Sequence, residues 1–458
     1  MCGVFGIRSP QRDVARIAYF GLFALQHRGQ ESAGIAVSDD GRLTVLRDMG
    51  LVSQVFDEQK LSGLHGDVAI GHTRYSTTGS THWANAQPLL HHGPARTVAL
   101  GHNGNLTNAS ALRAELARKG VKLSSTSDSE LIAALISNEE GSLEDAVAAA
   151  MRRLEGAYSV VGLSEGTLIA FRDPFGFRPL VLGQLDGEWV VASESCALDL
   201  VGANLEREVA PGEVVLIDAD GLRSVQAVEP AENGALCIFE FFYLARPDTR
   251  LEGVEVHAAR VRMGEQLAAE APVDADLVLP IPESGTPAAI GFARASGIPF
   301  SEGLIKNRYV GRTFIQPEQG LREQGAKLKY NPLAELAGKR VVVVDDSIVR
   351  GNTTRQIVQL LFDVGASEVH LRVSSPPVIG QCFYGIDLAD PDEMIASNRT
   401  VEEIRQHIGA TSLAYISLEG LQDATRRPAS RLCRACLTRD YPTNVPADAK
   451  KMKFETVA

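Results

Sequence analysis

No run of apolar residues in this chain approaches the roughly 20 needed to span a bilayer, which excludes a transmembrane helix read from sequence. The first residues, MCGVFGIRSP, lack the basic-then-apolar pattern of a secretory signal, so the expected compartment is the cytoplasm. There is no basic block, and Lys plus Arg number 45 against 57 Asp plus Glu, a formal charge of -12. That balance argues against nucleic acid or an anionic membrane surface as partner. Internal repeats and low-complexity tracts are missing too, which removes fibrous and disordered classes. Cysteine is scarce, with 6 in 458 residues. In a reducing compartment structural disulfides are rare, so each of the six needs another explanation. What is present is ordinary for a soluble enzyme: 45% hydrophobic and 22% charged residues, in a chain long enough for two domains.

The first half reads as short strands with few helices. Ser32–Val37, Val68–Gly71 and Val98–Gly101 are apolar or alternating runs ending in polar turns, and Asp186-Gly187 and Asp220-Gly221 read as hairpin turns. Helices are predicted over residues 110–119, 128–138 and 142–153, the last opened by Ser142-x-x-Asp145. From about residue 257 the rhythm becomes strand, helix, strand, helix. Helical patterns cover 257–270, 286–296 and 353–364, and Val341–Val344 has the continuous apolar character of a strand buried on both faces. The expected division is 2–235 and 236–445, with a loose tail over 446–458 and a turn-prone EPAENGAL segment at the boundary.

Cys2 follows the initiator methionine. Once Met1 is removed, the residue carries a thiol and a free α-amine of pKa about 7.7–8.0, so nucleophile and base share one residue. Position alone favours a small, incidental residue. The surrounding segments decide: HRGQESAG (27–34), GHTRYSTTG (71–79), GHNGNL (101–106) and SDSE (127–130) set polar groups at strand ends and turns. With these four motifs in order, residues 2–230 resemble the N-terminal-nucleophile, class II glutamine amidotransferases. The resemblance implies that Cys2 attacks the side-chain amide of glutamine. It also implies that Asn103 and the Gly104 N–H form the oxyanion hole, and that Arg74 and Asp128 bind the α-carboxylate and α-ammonium of glutamine. Arg28 lies in a motif that suits either catalysis or support of the nucleophile turn.

The second half carries VVVVDDSIVRGNTT at 341–354: a buried strand, two acids, a small-residue loop and a helix start. Backbone N–H groups with the hydroxyls of Ser347, Thr353 and Thr354 make a cradle for a monophosphate, while Asp345 and Asp346 suit ribose hydroxyls or a hydrated Mg²⁺. No Lys follows Gly351, which disfavours a nucleoside-triphosphate loop. The run resembles the phosphoribosyl pyrophosphate (PRPP) motif of type I phosphoribosyltransferases, with Asn352 where many relatives have Thr. By that resemblance Ser284, in PIPESGT, contacts Mg²⁺. Lys306, Arg308 and the rest of KNRYVGRTF form a lid over the pyrophosphate, helped by Arg350.

Cys433-x-x-Cys436 has metal-ligand spacing, and Cys237 and Cys382 bring the thiols to four, with zinc or a [4Fe–4S] cluster as candidates. Cys196 is left as core filler. Together the two halves and four thiols resemble the iron–sulfur branch of the amidophosphoribosyltransferases. That implies an αββα sandwich followed by a parallel-sheet phosphoribosyltransferase domain, a [4Fe–4S] cluster on Cys237, Cys382, Cys433 and Cys436, Mg²⁺, and a homotetramer inhibited by purine nucleotides. The implied reaction converts glutamine and PRPP to 5-phospho-β-D-ribosylamine, entering purine synthesis. Two rivals are weaker. Another class II amidotransferase would carry a different second half, and a non-catalytic regulator of phosphoribosyltransferase fold has no use for Cys2, Arg74, Asn103 and Asp128 together.

Overall fold

The computed structural model describes residues 2–76, 81–307, 329–388 and 393–445. Its first part is two antiparallel sheets laid face to face. One has seven strands, in the order Asn204–Glu208, Val181–Leu185, Glu188–Ala192, Gly3–Arg8, Val68–Arg74, Ser32–Asp39, Arg42–Met49. The other has six: Gly221–Gln226, Glu213–Asp218, Thr167–Arg172, Gly156–Ser164, Thr97–Leu106, Leu89–His92.

Strand periodicity explains why the runs are apolar without interruption. In Gly3–Arg8, Val4 points between the sheets to meet Val161, Leu168 and Val215. Phe5 and Ile7 point the other way, under the helices Val14–Ala24 and Ser195–Val201. The second sheet does the same: Val98, Leu100, Tyr158 and Phe171 are covered by helices Ala109–Arg118, Ser129–Asn138 and Leu143–Met151. Helix, sheet, sheet, helix is the layering inferred from the sequence. The two outer helices on the first sheet were not read there. The third predicted helix ends at Met151 rather than Arg153, and Gly156 opens the next strand. Both hairpins form, at Asp186-Gly187 with positive φ at each residue and at Asp220-Gly221.

The second part is a four-stranded parallel sheet, Leu277–Pro280, Arg340–Asp345, Glu368–Val373 and Ser412–Tyr415. Helices Val256–Glu270 and Thr286–Ser296 line one face and Asn352–Asp363 and Val401–Ile408 the other. The helix read as beginning at Thr353 begins one residue earlier. Among the described residues no helix is long and apolar enough to cross a membrane.

The expected polar boundary is only partly a linker. After Gly234 the chain dives inward: residues 235–242 are buried, passing through the short strand Leu236–Cys237 and a wide turn at Glu240–Leu244. The two parts therefore share an interior. Phe177 of the first stacks on Tyr384 of the second with ring centroids 4.1 Å apart, both fully buried. Removing a buried aromatic of this kind costs about 3–5 kcal/mol. Phe177→Ala should accordingly lower the thermal midpoint of the full chain by several degrees; an unchanged midpoint would show that the junction is held without this stack.

Candidate active sites

Cys2 begins the central strand of the first sheet and is 7% exposed. Its Sγ–H points at the Tyr75 carbonyl, 3.7 Å away, its backbone N–H donates to Asn103 Oδ1 at 3.3 Å, and its carbonyl accepts from Arg28 Nε at 3.0 Å. Asn103 comes from the neighbouring sheet, on Thr97–Leu106. Its Nδ2 is a buried donor with no partner among the described residues. Burying an amide N–H unpaired costs about 1–3 kcal/mol, so its persistence beside a thiol is a mark of a site. Gly104 follows, so closely packed that a Cβ there would lie 2.0 Å from the Ala157 carbonyl.

Arg74 ends its strand nearby, buried, with Glu31 3.6 Å from Nη1. Glu31 also accepts from the Ser76 N–H and hydroxyl at 2.9 and 3.0 Å, bracing the segment that follows Arg74. Asp128 stands just before helix Ser129–Asn138, where its Oδ2 accepts from the Leu106 N–H at 2.9 Å instead of capping the helix. Cys2, Arg74, Asn103, Gly104 and Asp128 thus come from three strands of the two facing sheets and one helix start. Thr77–Gly79 of the GHTRYSTTG motif lie outside the described residues.

Arg28, left between two roles by the sequence, is wholly buried on the short turn Gln26–Arg28. Besides the Cys2 carbonyl it binds Glu194 and, by two prongs at 2.7 and 3.1 Å, Glu240. Burial opposes its charge, but Glu240 and Glu194 outweigh burial and hold the guanidinium protonated. Sequence reasoning missed Glu194, Glu240, Arg178 and Glu31. For Glu240 a signal exists: it is a lone carboxylate in the apolar run CIFEFFYLA, where a charge must be paired.

The second constellation lies at the carboxyl ends of adjacent parallel strands, the place where open α/β sheets bind ligands. Asp345 and Asp346 end Arg340–Asp345, and Ser284 sits in the turn after Leu277–Pro280, whose register sets Pro280 against Val344. Asp346 accepts from the Ser347 hydroxyl at 2.6 Å and is hydrogen-bonded to Ser284. Burial, joined by the charge of Asp346, lifts the Asp345 carboxyl well above the usual range, and burial lifts Asp346 as well against those two hydroxyls and Arg260. Gly351, in the left-handed conformation, is the residue before helix Asn352–Asp363. A Cβ there would strike Ile395 at 2.7 Å. Asn352 and Thr353 are exposed at this helix start, while Thr354 is buried. Arg350 pairs with Glu393 and Lys306 Nζ lies 3.4 Å from Glu283, so both cations have carboxylate partners beside the loop. Arg308 and the rest of the predicted lid lie outside the described residues.

Among the described residues no group of three or more His, Cys, Asp or Glu forms a ready single-ion site. Four cysteines nevertheless converge. Cys237 and Cys433 are register partners in the two-residue parallel ladder of Leu236–Cys237 with Leu432–Cys433, and the Cys436 carbonyl accepts from the N–H groups of Ile379 and Gly380, drawing in the segment that bears Cys382. The Cys382 sulfur accepts from the N–H groups of Tyr384 and Ile386, each at 3.4 Å. Burial pushes the Cys237 thiol up to about 11 against the pull of Arg178, and burial raises Cys433 and Cys436 further, aided by the other thiols. Cys196 stands apart in the core under the first sheet.

Residues 72–200 match the glutamine amidotransferase domain family and residues 256–375 the phosphoribosyl transferase domain family. Curated amidophosphoribosyltransferases align nearly end to end. That of Mycobacterium bovis is 53% identical over 98% of this chain and 87% of its own length, and that of Synechococcus elongatus is 52% identical over 100% and 94%. This chain belongs to the amidophosphoribosyltransferase family. In agreement, the solved glutamine PRPP amidotransferase of Bacillus subtilis, complexed with ADP and GMP, superposes with a TM-score of 0.92 at 46% identity, covering 98% of this chain and 99% of that one. The family assigns an enzyme with a glutamine amidotransferase domain followed by a phosphoribosyltransferase domain, the order seen in the fold.

The raised Asp345 has a measurable consequence. A carboxyl whose folded pKa lies above the unfolded value near 3.9 contributes stability that is complete below about pH 3.9 and lost as pH rises through the folded value. Asp345→Asn should therefore raise the thermal midpoint of the ligand-free chain at neutral and alkaline pH, with the gain vanishing toward about pH 3.5. A gain independent of pH would mean that Asp345 is not the strained group.

Proposed function

We propose that this enzyme hydrolyses glutamine at Cys2 and delivers the ammonia to C1 of PRPP, forming 5-phospho-β-D-ribosylamine, glutamate and pyrophosphate, the first step of purine biosynthesis. The observation that carries the glutaminase half is the unpartnered Asn103 Nδ2 beside Cys2. With Met1 removed, the α-amine of Cys2 takes the Sγ proton, and the thiolate attacks the glutamine amide carbon. The alkoxide that develops is received by Asn103 Nδ2 and the Gly104 N–H. The proton then returns to the departing nitrogen, ammonia leaves, and water cleaves the thioester to glutamate. Arg74 and Asp128 hold the two charged ends of glutamine, and Arg28 supports the nucleophile through the Cys2 carbonyl.

In the second site Ser347, Gly351, Asn352, Thr353 and Thr354 hold the 5-phosphate at the helix start. Asp345, Asp346 and Ser284 would hold a hydrated Mg²⁺, which would supply charge to offset the two buried carboxylates and the pyrophosphate. Lys306, Arg308 and Arg350 serve the anionic leaving group; for Lys306 and Arg350 this requires exchanging Glu283 and Glu393 for substrate. Ammonia attacks C1 as the C1–O bond to pyrophosphate breaks, with inversion. The domains run over 2–235 and 236–445.

Cys237, Cys382, Cys433 and Cys436 would hold a [4Fe–4S] cluster. Their donor chemistry fits: four thiols from three segments, three buried and Cys382 partly buried, with N–H donors on the Cys382 sulfur and the Arg178 cation beside Cys237. The cluster would be structural, and no reaction step passes through it. A cytoplasmic homotetramer inhibited by purine nucleotides completes the reading; for the inhibition alone there is support, in the ADP and GMP bound to the Bacillus subtilis relative.

Cys2→Ala should abolish glutamine-dependent product while ammonium-dependent product persists; undiminished use of glutamine would remove Cys2 from the mechanism. Asn103→Ala should lower glutamine-dependent turnover about 10²–10³-fold. Anaerobically purified chain should be brown and hold about four irons, the content of one such cluster. Colourless protein with a single zinc would overturn the cluster assignment.

A further inference from the structure

The residue nearest the junction of the two domains with no assigned task is Glu240. It sits in the turn Glu240–Leu244, wholly buried, and its carboxylate is shared by two arginines of the first domain. Arg28 grips both oxygens at 2.7 and 3.1 Å, and Arg178 Nη1 donates to Oε1 at 3.2 Å. The same Arg178 holds the Tyr384 carbonyl by Nε and Nη2 at 3.0 and 2.7 Å, two residues beyond Cys382. Arg28, Arg178, Glu194 and Glu240 have no exposed side-chain surface, and their charges cancel.

The fork geometry fixes the plane of the Arg28 guanidinium. That plane determines where Nε points, and Nε is the donor to the Cys2 carbonyl. Take the carboxylate away and the two buried guanidiniums lose the one acid that both contact. Arg28 and Arg178 then repel across a water-poor interior, and Arg28 turns from Cys2. Glutamine itself touches none of these groups in the reading above.

We propose that Glu240 is a positioning residue for the Cys2 nucleophile, a carboxylate supplied by the phosphoribosyltransferase side that completes the glutaminase side. The proposal rests on the assignment of Cys2 as nucleophile. Its mark is selectivity. In anaerobically purified full-length Glu240→Gln, glutamine-dependent kcat should fall tenfold or more while KM for glutamine and ammonium-dependent kcat each stay within twofold of the parent. Glu240→Asp, which keeps the charge but shortens the reach, should fall between the two and serves if Gln at 240 prevents folding. Glutamine-dependent kcat within twofold of the parent in both variants would overturn the proposal. So would equal loss of both activities, because Arg260 near Asp346 donates to the carbonyls of Phe241 and Ala245 and collapse of this turn would disturb the second site too. Cys2→Ala in the same assays separates the two ideas: glutamine use surviving in Cys2→Ala defeats the nucleophile assignment, whereas survival only in the Glu240 variants defeats this one.

Discussion

Four buried charges with no exposed side-chain surface, Arg28, Arg178, Glu194 and Glu240, are the constraint on which the arrangement of the two domains depends. Isolated, each would cost several kcal/mol to desolvate, and breaking such a pair by removing one member typically costs about 3–5 kcal/mol. Together they are neutral and nearly saturated with hydrogen bonds. Glu194 also accepts from His27 at 2.7 Å, the Thr249 hydroxyl at 2.6 Å and the Arg246 N–H at 2.9 Å. Glu194, Arg28 and Arg178 come from the first part and Glu240, Arg246 and Thr249 from the segment that follows it, so the set is satisfied only when that segment is packed against the first part. Apolar packing such as Phe177 on Tyr384 supplies the cohesion, and the charges supply the register.

The segment 382–387 extends the same logic to the glutaminase site. Asn105 Nδ2 donates to the Phe383 carbonyl at 2.9 Å and the Tyr75 hydroxyl lies 3.3 Å from Asp387. A Cβ on Gly385 would come within 2.9 Å of the Gly104 backbone, so only glycine lets this segment lie against Gly104. Cys382 begins this segment. A thiol assigned to metal chemistry and a glycine assigned to catalysis are thereby neighbours through three residues of backbone. The Cys433-x-x-Cys436 spacing gave no hint of that.

Much of the architecture was legible because its elements are buried on both faces. A strand such as Val341–Val344 has one reading, and helices with clear starts, such as that capped by Ser142, declare themselves locally. The helices Val14–Ala24 and Ser195–Val201 were missed. The first has apolar residues nearly all round, Phe20 and Phe23 remaining exposed, so its helical period is blurred; the second is only seven residues long. At the boundary the reverse holds, since a polar stretch that ends at Gly234 concealed a buried run immediately after it.

The sequence by itself determined the chemistry: a thiol at position 2, an amide, a guanidinium and a carboxylate in four motifs, two acids ahead of a glycine loop, and four thiols. Those are properties of residue types at short spacing, and they survive without coordinates. Only the tertiary structure decided which groups are left unpaired and which are held. Asn103 Nδ2 is left without a partner among the described residues, on one sheet beside a thiol that stands on the other. Arg28 supports Cys2 because a carboxylate 212 residues away closes its fork. Cys382, with no local motif, joins the other thiols because the Cys436 carbonyl draws its segment in. Long-range burial sets all three, and no local pattern of residues encodes it.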